Sequence, residues 1–134
     1  MFPASISALI ERILLETTPL PGDLPAETAR RHGAIPLMGD LGGAWLLRPD
    51  GSLWEVAWDT DSENSPRPLR SERRIIALAV GARRYPWLSA LLPTPPPDAQ
   101  PCAACRGEGE IRISPNRMAG GVICGECQAL GWRA

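Results

Sequence analysis

Four cysteines form the one pattern in this chain whose residue types and spacing imply a definite chemistry. They come as two Cys-x-x-Cys pairs, Cys102/Cys105 and Cys124/Cys127, with 18 residues between Cys105 and Cys124. A Cys-x-x-Cys turn brings two sulfurs to one point, and tetrahedral Zn²⁺ takes two such pairs at about 2.3 Å per sulfur. The spacing lies in the range that reads as a four-thiolate zinc site. Gly107, Gly109 and Gly131 follow the pairs, supplying the positive φ and close backbone approach needed where a chain curls around a metal. Two disulfides would suit a secreted chain, but the start Met1-Phe2-Pro3-Ala4 lacks the basic and apolar regions of a signal peptide. A redox Cys-x-x-Cys sits singly at a helix start beside a βαβ pattern, unlike this duplicated motif. The expected metal ligands are therefore Cys102, Cys105, Cys124 and Cys127, holding one Zn²⁺. Four thiolates fill its coordination sphere and leave no place for water, so the expected role is structural.

Cys102-x-x-Cys105-x-Gly107-x-Gly109 resembles the repeat of the DnaJ-type cysteine-rich zinc module, which anti-TRAP-like regulators and chaperone-like factors also carry. The second copy departs from it, with Ala129 in place of the first glycine and Gly131 keeping the last. The DnaJ module has four repeats and two zincs, whereas this chain has two repeats and room for one. No His-Pro-Asp occurs, which excludes a full co-chaperone. The resemblance covers about a quarter of the chain and implies a zinc-stabilised hairpin that touches other proteins without catalysis. In residues 1–92, short helices, a Leu-Pro step and Gly-Gly precede tryptophan-rich strands and a last helix. That arrangement is similar to SMI1/KNR4-type bacterial immunity proteins, and implies a toxin-binding alternative.

The elements that must position the cysteines are read from periodicity. Ile6, Leu9, Ile10, Ile13 and Leu14 make one apolar face of a helix over residues 4–17, stopped by Pro19-Leu20-Pro21-Gly22. Asp23-Leu24-Pro25-Ala26-Glu27 has proline and acids where a second helix should start, and Gly33 is placed to end it. Ala34–Met38 is a strand candidate. Then Ala44–Arg48, the turn Pro49-Asp50-Gly51-Ser52, and Leu53–Trp58 predict a β-hairpin. Its tryptophans, Trp45, Trp54 and Trp58, are expected in the core rather than as a ligand platform. Residues 59–66 form an acidic connector whose Asp59-x-Asp61 start lacks the glycine and glutamate of a calcium loop. Ser71 is placed to cap a helix carrying Ile75, Leu78, Ala79 and Ala82, with Ile76 and Val80 beside them. Arg73-Arg74 and Arg83-Arg84 flank that helix and are expected to be solvated, partly paired with the acidic connector. Tyr85-Pro86-Trp87 breaks it, and Leu88–Leu92 reads as a short helical segment.

Residues 93–101 are rich in proline and read as an extended, semi-rigid spacer. The expected organisation is an α+β domain over 1–92, a small antiparallel sheet with flanking helices. The Pro-rich linker 93–101 follows, and then a four-cysteine zinc module over 102–134. Within the module, Glu110–Ser114 and Gly121–Ile123 predict a zinc-bound β-hairpin.

Composition narrows the function classes. The 14 basic residues are all arginine and face 15 acids, so no lysine chemistry is available. Neither part of the chain has the basic excess of a nucleic-acid binder. A nucleic-acid-binding zinc ribbon would have to rely on Arg106, Arg112, Arg117 and Arg133. No apolar run is long enough to span a membrane, and a reducing, cytoplasmic setting suits thiolates that hold zinc. His32, the single histidine, has no nucleophile or ligand beside it in sequence and suits a charge at a helix end. No Gly-x-Ser-x-Gly, phosphate loop or His-Glu-x-x-His occurs. No catalytic residues are assigned. The expected function is non-enzymatic: a zinc-binding module that contacts another protein.

Overall fold

The computed structural model describes residues 2–39, 43–57, 66–112 and 121–133. The first apolar stretch forms α1 (Ala4–Glu16), which buries Ile6 and Ile10. Asp23 caps α2 (Leu24–Arg31), its Oδ1 accepting the Ala26 N–H at 3.2 Å. Arg30 of α2 turns back to α1. Its Nη1 donates to the carbonyls of Leu14 and Thr17 at 2.6 Å each. The last turn of α1 has no basic residue of its own, so this guanidinium satisfies carbonyls that the helix leaves open and opposes the negative end of its dipole.

An antiparallel sheet follows in the order β1 (Ile35–Gly39), β2 (Gly43–Leu47), β3 (Leu53–Ala57) and β4 (Arg67–Pro68). β1 is an edge strand and tolerates Pro36 for that reason. A bulge between Pro36 and Met38 shifts its register against β2. The β2–β3 turn closes where expected, with the Arg48 N–H donating to Ser52 O at 3.0 Å. Within it Asp50 Oδ1 accepts from the Ser52 hydroxyl at 2.6 Å and the Ser52 N–H at 2.9 Å. These bonds hold the Asp50 carboxyl below its ordinary range, the hydroxyl contributing most.

Both faces of the sheet are covered, which is why β2 reads as an unbroken apolar run. Ile35, Leu37, Trp45, Leu47 and Leu53 face α1, Leu88 and the helix α3 (Arg74–Arg84), which contributes Ala77 and Leu78. Ala44, Leu46 and Val56 form a second, smaller cluster with Ala34 and with Ala29 of α2. The architecture is α+β, a small antiparallel sheet with flanking helices. α3 approaches β1 closely because Gly81 has no side chain: a Cβ there would lie 2.6 Å from Leu37. Of the tryptophans, Trp45 is core. Trp54 is half-buried on the opposite face, its indole N–H donating to Ser52 Oγ at 2.8 Å under the Arg48 guanidinium, 4.3 Å from the ring centroid. Trp58 and the acidic connector lie outside the described residues.

One local reading changes. Ser71 makes no side-chain cap; residues Ser71–Arg73 form a single 3₁₀ turn that leads directly into α3. β4 was not legible, being two residues long and half proline. Of the arginines at the start of α3, Arg73 and Arg74 are exposed as expected, Arg73 lying over the Trp45 ring at 5.2 Å and Arg74 donating to Gly51 O at 3.2 Å. After α3, Pro86–Leu91 forms a 3₁₀ segment. Among the described residues no helix is long and apolar enough to cross a membrane.

The last part of the chain forms two two-stranded ribbons. β5 (Gln100–Pro101) pairs with β8 (Trp132–Arg133), and β6 (Glu110–Arg112) pairs with β7 (Gly121–Ile123), both antiparallel. The end of the Pro-rich stretch therefore closes one ribbon of the cysteine-bearing unit.

Candidate metal centre

The four cysteines stand at the two knuckles that join these ribbons, and their sulfurs all lie within 4.8 Å of one another. Cys102 and Cys124 are fully buried, and Cys105 and Cys127 are 4% exposed. The separations are 3.8 Å for Cys102–Cys124 and 3.7 Å for Cys105–Cys127. Thiolates bound tetrahedrally at about 2.3 Å would be separated by about 3.8 Å along each edge. A disulfide requires about 2.05 Å, and all four cysteines are free. The donor set and its geometry fit one metal ion, and each of the four cysteines could supply a ligand to it.

The backbone builds this centre twice, with the same bonds in each copy. Gly107 N–H donates to Cys102 O at 3.0 Å, and Ala129 N–H to Cys124 O at 3.1 Å. Glu108 N–H donates to Cys105 O and Leu130 N–H to Cys127 O, at 3.1 and 3.0 Å. Gly109 N–H points at Cys105 Sγ and Gly131 N–H at Cys127 Sγ, both at 3.2 Å. The copies then lock onto each other: Cys102 N–H donates to Gly131 O at 2.9 Å and Cys124 N–H to Gly109 O at 3.0 Å. The result is a pseudo-twofold in which the last glycine of each repeat serves both its own knuckle and the other.

Electrostatics divide the cysteines. At Cys105 burial alone would raise the pKa, but the Gly109 N–H and the neighbouring thiols outweigh it and hold it at about 7. At Cys127 burial, with the neighbouring thiols, pushes it up to about 12 despite the Gly131 N–H. A cation held by the sulfurs would favour the thiolate form at both.

The buried residues of this unit, among those described, are the four cysteines, Gly109, Ala129 and Gly131. No large apolar side chain is among them, and Ile111 on β6 is 43% exposed. The sulfur cluster stands where a hydrophobic core would otherwise be.

Two contacts that sequence reasoning did not supply dock the unit on the α+β body. Arg83 at the end of α3 pairs with Glu110 at 2.9 Å and donates to Glu108 O at 3.3 Å. Ile123, one residue before Cys124, packs against the main core. Nothing in the local pattern around Arg83 signals a distant partner, whereas an aliphatic Ile123 directly before Cys124 does hint at one. Of the arginines that a nucleic-acid face would use, Arg133 lies 3.6 Å from Glu126 and Arg106 is exposed. The side chains of Arg112 and Arg117 lie outside the described residues. His32 is the C-terminal cap residue of α2, far in sequence from the cysteines, and its Nε2 is buried without a hydrogen-bond partner among the described residues. The chain matches no family model, no curated protein and no solved structure.

Proposed function

We propose that this is a zinc protein whose metal is structural and whose cysteine unit contacts another protein, with no catalysis of its own. The observation that supports it best is the closed sulfur tetrad, two cross-repeat pairs at 3.7 and 3.8 Å in a unit that buries no other sizeable side chain. Four thiolates suit zinc and exclude magnesium and calcium, which sulfur is too soft to hold. Cys102, Cys105, Cys124 and Cys127 are the ligands in this reading. Full coordination by protein leaves no open position for substrate or water. The hairpin carries an exposed Ile111 beside charged residues, a surface suited to meeting another protein. Arg83 and Ile123 fix that surface relative to the body, which lowers the ordering cost of binding.

The test has two parts. Elemental analysis of freshly purified, reduced protein should give one zinc per chain. Affinity capture from the source cell should then be run with wild type and a Cys102→Ser/Cys105→Ser variant side by side. A partner lost only with the variant assigns binding to the cysteine unit. Metal-free material, or sulfurs bonded to each other, would sink the proposal.

A further inference from the structure

A cavity of about 370 Å³ opens between one end of the sheet and the cysteine unit. Its size is in the usual range for a small-molecule site. Trp45 and Met38, both of the main core, supply apolar lining, and Ile123 closes the side nearest the cysteines. Two arginines line it as well, Arg67 and Arg73. Neither belongs to any ion pair among the described residues. Arg73 is held over the Trp45 ring at 5.2 Å, and Arg67 is fixed on β4, where its register partner is Glu55. Glu55 also lines the cavity and is half-buried, without an ion-pair partner among the described residues. One wall therefore offers two positive forks and one acceptor above an aromatic and aliphatic floor.

That set of groups has a chemical preference. Arginine forks match a carboxylate in two-bond geometry. A ligand with two carboxylates would meet Glu55 unfavourably, whereas an N–H donor beside a single carboxylate would satisfy it. We propose that the cleft binds a single carboxylate flanked by an N–H donor, the chemistry shared by an N-acyl amino acid and the C-terminus of a peptide, with an apolar side chain over Trp45. The site is independent of the partner-binding surface proposed above, and no cysteine takes part in it.

The experiment titrates the full-length, metal-loaded protein by calorimetry with N-acetyl-leucine and with a short peptide ending in a free leucine carboxylate. Each is paired with its neutral C-terminal amide. Saturable binding of the carboxylates but not of the amides is expected. Arg67→Gln and Arg73→Gln should each weaken it by about tenfold or more, as loss of a charge-assisted hydrogen bond does. Arg70→Gln, which alters an exposed arginine paired with Glu72, should leave binding unchanged. Binding of both ligands identifies a small-molecule site, and binding of the peptide alone identifies a peptide terminus; either supports the proposal. No saturable binding, equal binding of the amides, or full affinity in both cleft variants overturns it. Because Arg67 and Arg73 are exposed, these variants fold, and zinc content measured on the same samples separates a failure here from a failure of the metal reading.

Discussion

At Gly107, Ala129, Gly109 and Gly131 the backbone turns into the left-handed region, with φ of +79°, +66°, +80° and +86°. These positions differ in what surrounds the missing or present Cβ. A Cβ on Gly107 would find its nearest neighbours at 3.6 and 3.7 Å, an ordinary contact. On Gly109 it would lie 2.6 Å from Ala129 O, and on Gly131 2.5 Å from Gly107 O. The first glycine of the repeat is therefore wanted for its φ alone, and the second for its φ and for room. This explains why the second repeat carries alanine at its first position and keeps glycine at its last. Left-handed φ costs a non-glycine residue about 1–2 kcal/mol. Part of that is offset because glycine has more freedom to lose on folding, about 0.4–1 kcal/mol. Gly107→Ala should thus weaken zinc binding by only about 1 kcal/mol, and Ala129→Gly should change it by less than about 1 kcal/mol. Gly131→Ala forces a backbone shift beside a ligand and should cost more than about 2 kcal/mol. Competition with a chromophoric chelator measures all three, and equal effects at Gly107 and Gly131 would refute the steric distinction.

Among the elements, α3 carries the ion pair that joins the cysteine unit to the body. Arg83 to Glu110 is a half-exposed pair, so its worth is about 0.2–1 kcal/mol after solvent screening. Arg83→Ala should accordingly weaken zinc retention by no more than about fivefold, and leave unfolding of the body almost unmoved. Gly81 is a sharper case. In a helix interior glycine is worse than alanine by about 1 kcal/mol, so propensity alone says that Gly81→Ala stabilises. Overpacking against Leu37 costs about 1–3 kcal/mol, and the 2.6 Å approach makes it the larger effect. Urea unfolding should show net destabilisation, and a gain in stability would show that α3 can back away from β1. These elements also mark what the sequence could tell. α1, α2, the β2–β3 hairpin and α3 were legible because each has its own periodicity and punctuation, and the cysteine spacing announced its own site. β4 and the β5–β8 ribbon were not, since two-residue strands exist only through a partner supplied by distant chain. The Arg83 clamp and the cleft were hidden for the same reason: they are juxtapositions, and no local pattern encodes them.

The molecule as a whole combines two kinds of cohesion. The body is held by apolar burial on both faces of its sheet, and the cysteine unit by a cluster of sulfurs with no hydrophobic core beneath it. Structural zinc in small fingers contributes about 10–16 kcal/mol of apparent binding free energy, which doubles as folding free energy. Burial of Ile123 and the Arg83 pair amount to far less, about 1.5–3 kcal/mol for a fully buried aliphatic side chain and under about 1 kcal/mol for the pair. Metal removal should therefore unfold residues 100–112 and 121–133 while the body, deprived only of those edge contacts, stays folded. Amide hydrogen exchange before and after chelation reads the two regions separately. Protection should vanish for Cys102, Gly109, Cys124 and Gly131, whose N–H groups serve the sulfur cluster or tie the two repeats together, and persist for β2 and for α3 up to its last turn. Lower pH should have the same selective effect, because protons compete with the metal for thiolate while the apolar core is indifferent to them. If protection in both regions fell together, the edge contacts would be the stronger link and the division of the molecule into two kinds of cohesion would be wrong. If neither fell, the unit would be holding itself together by something other than metal.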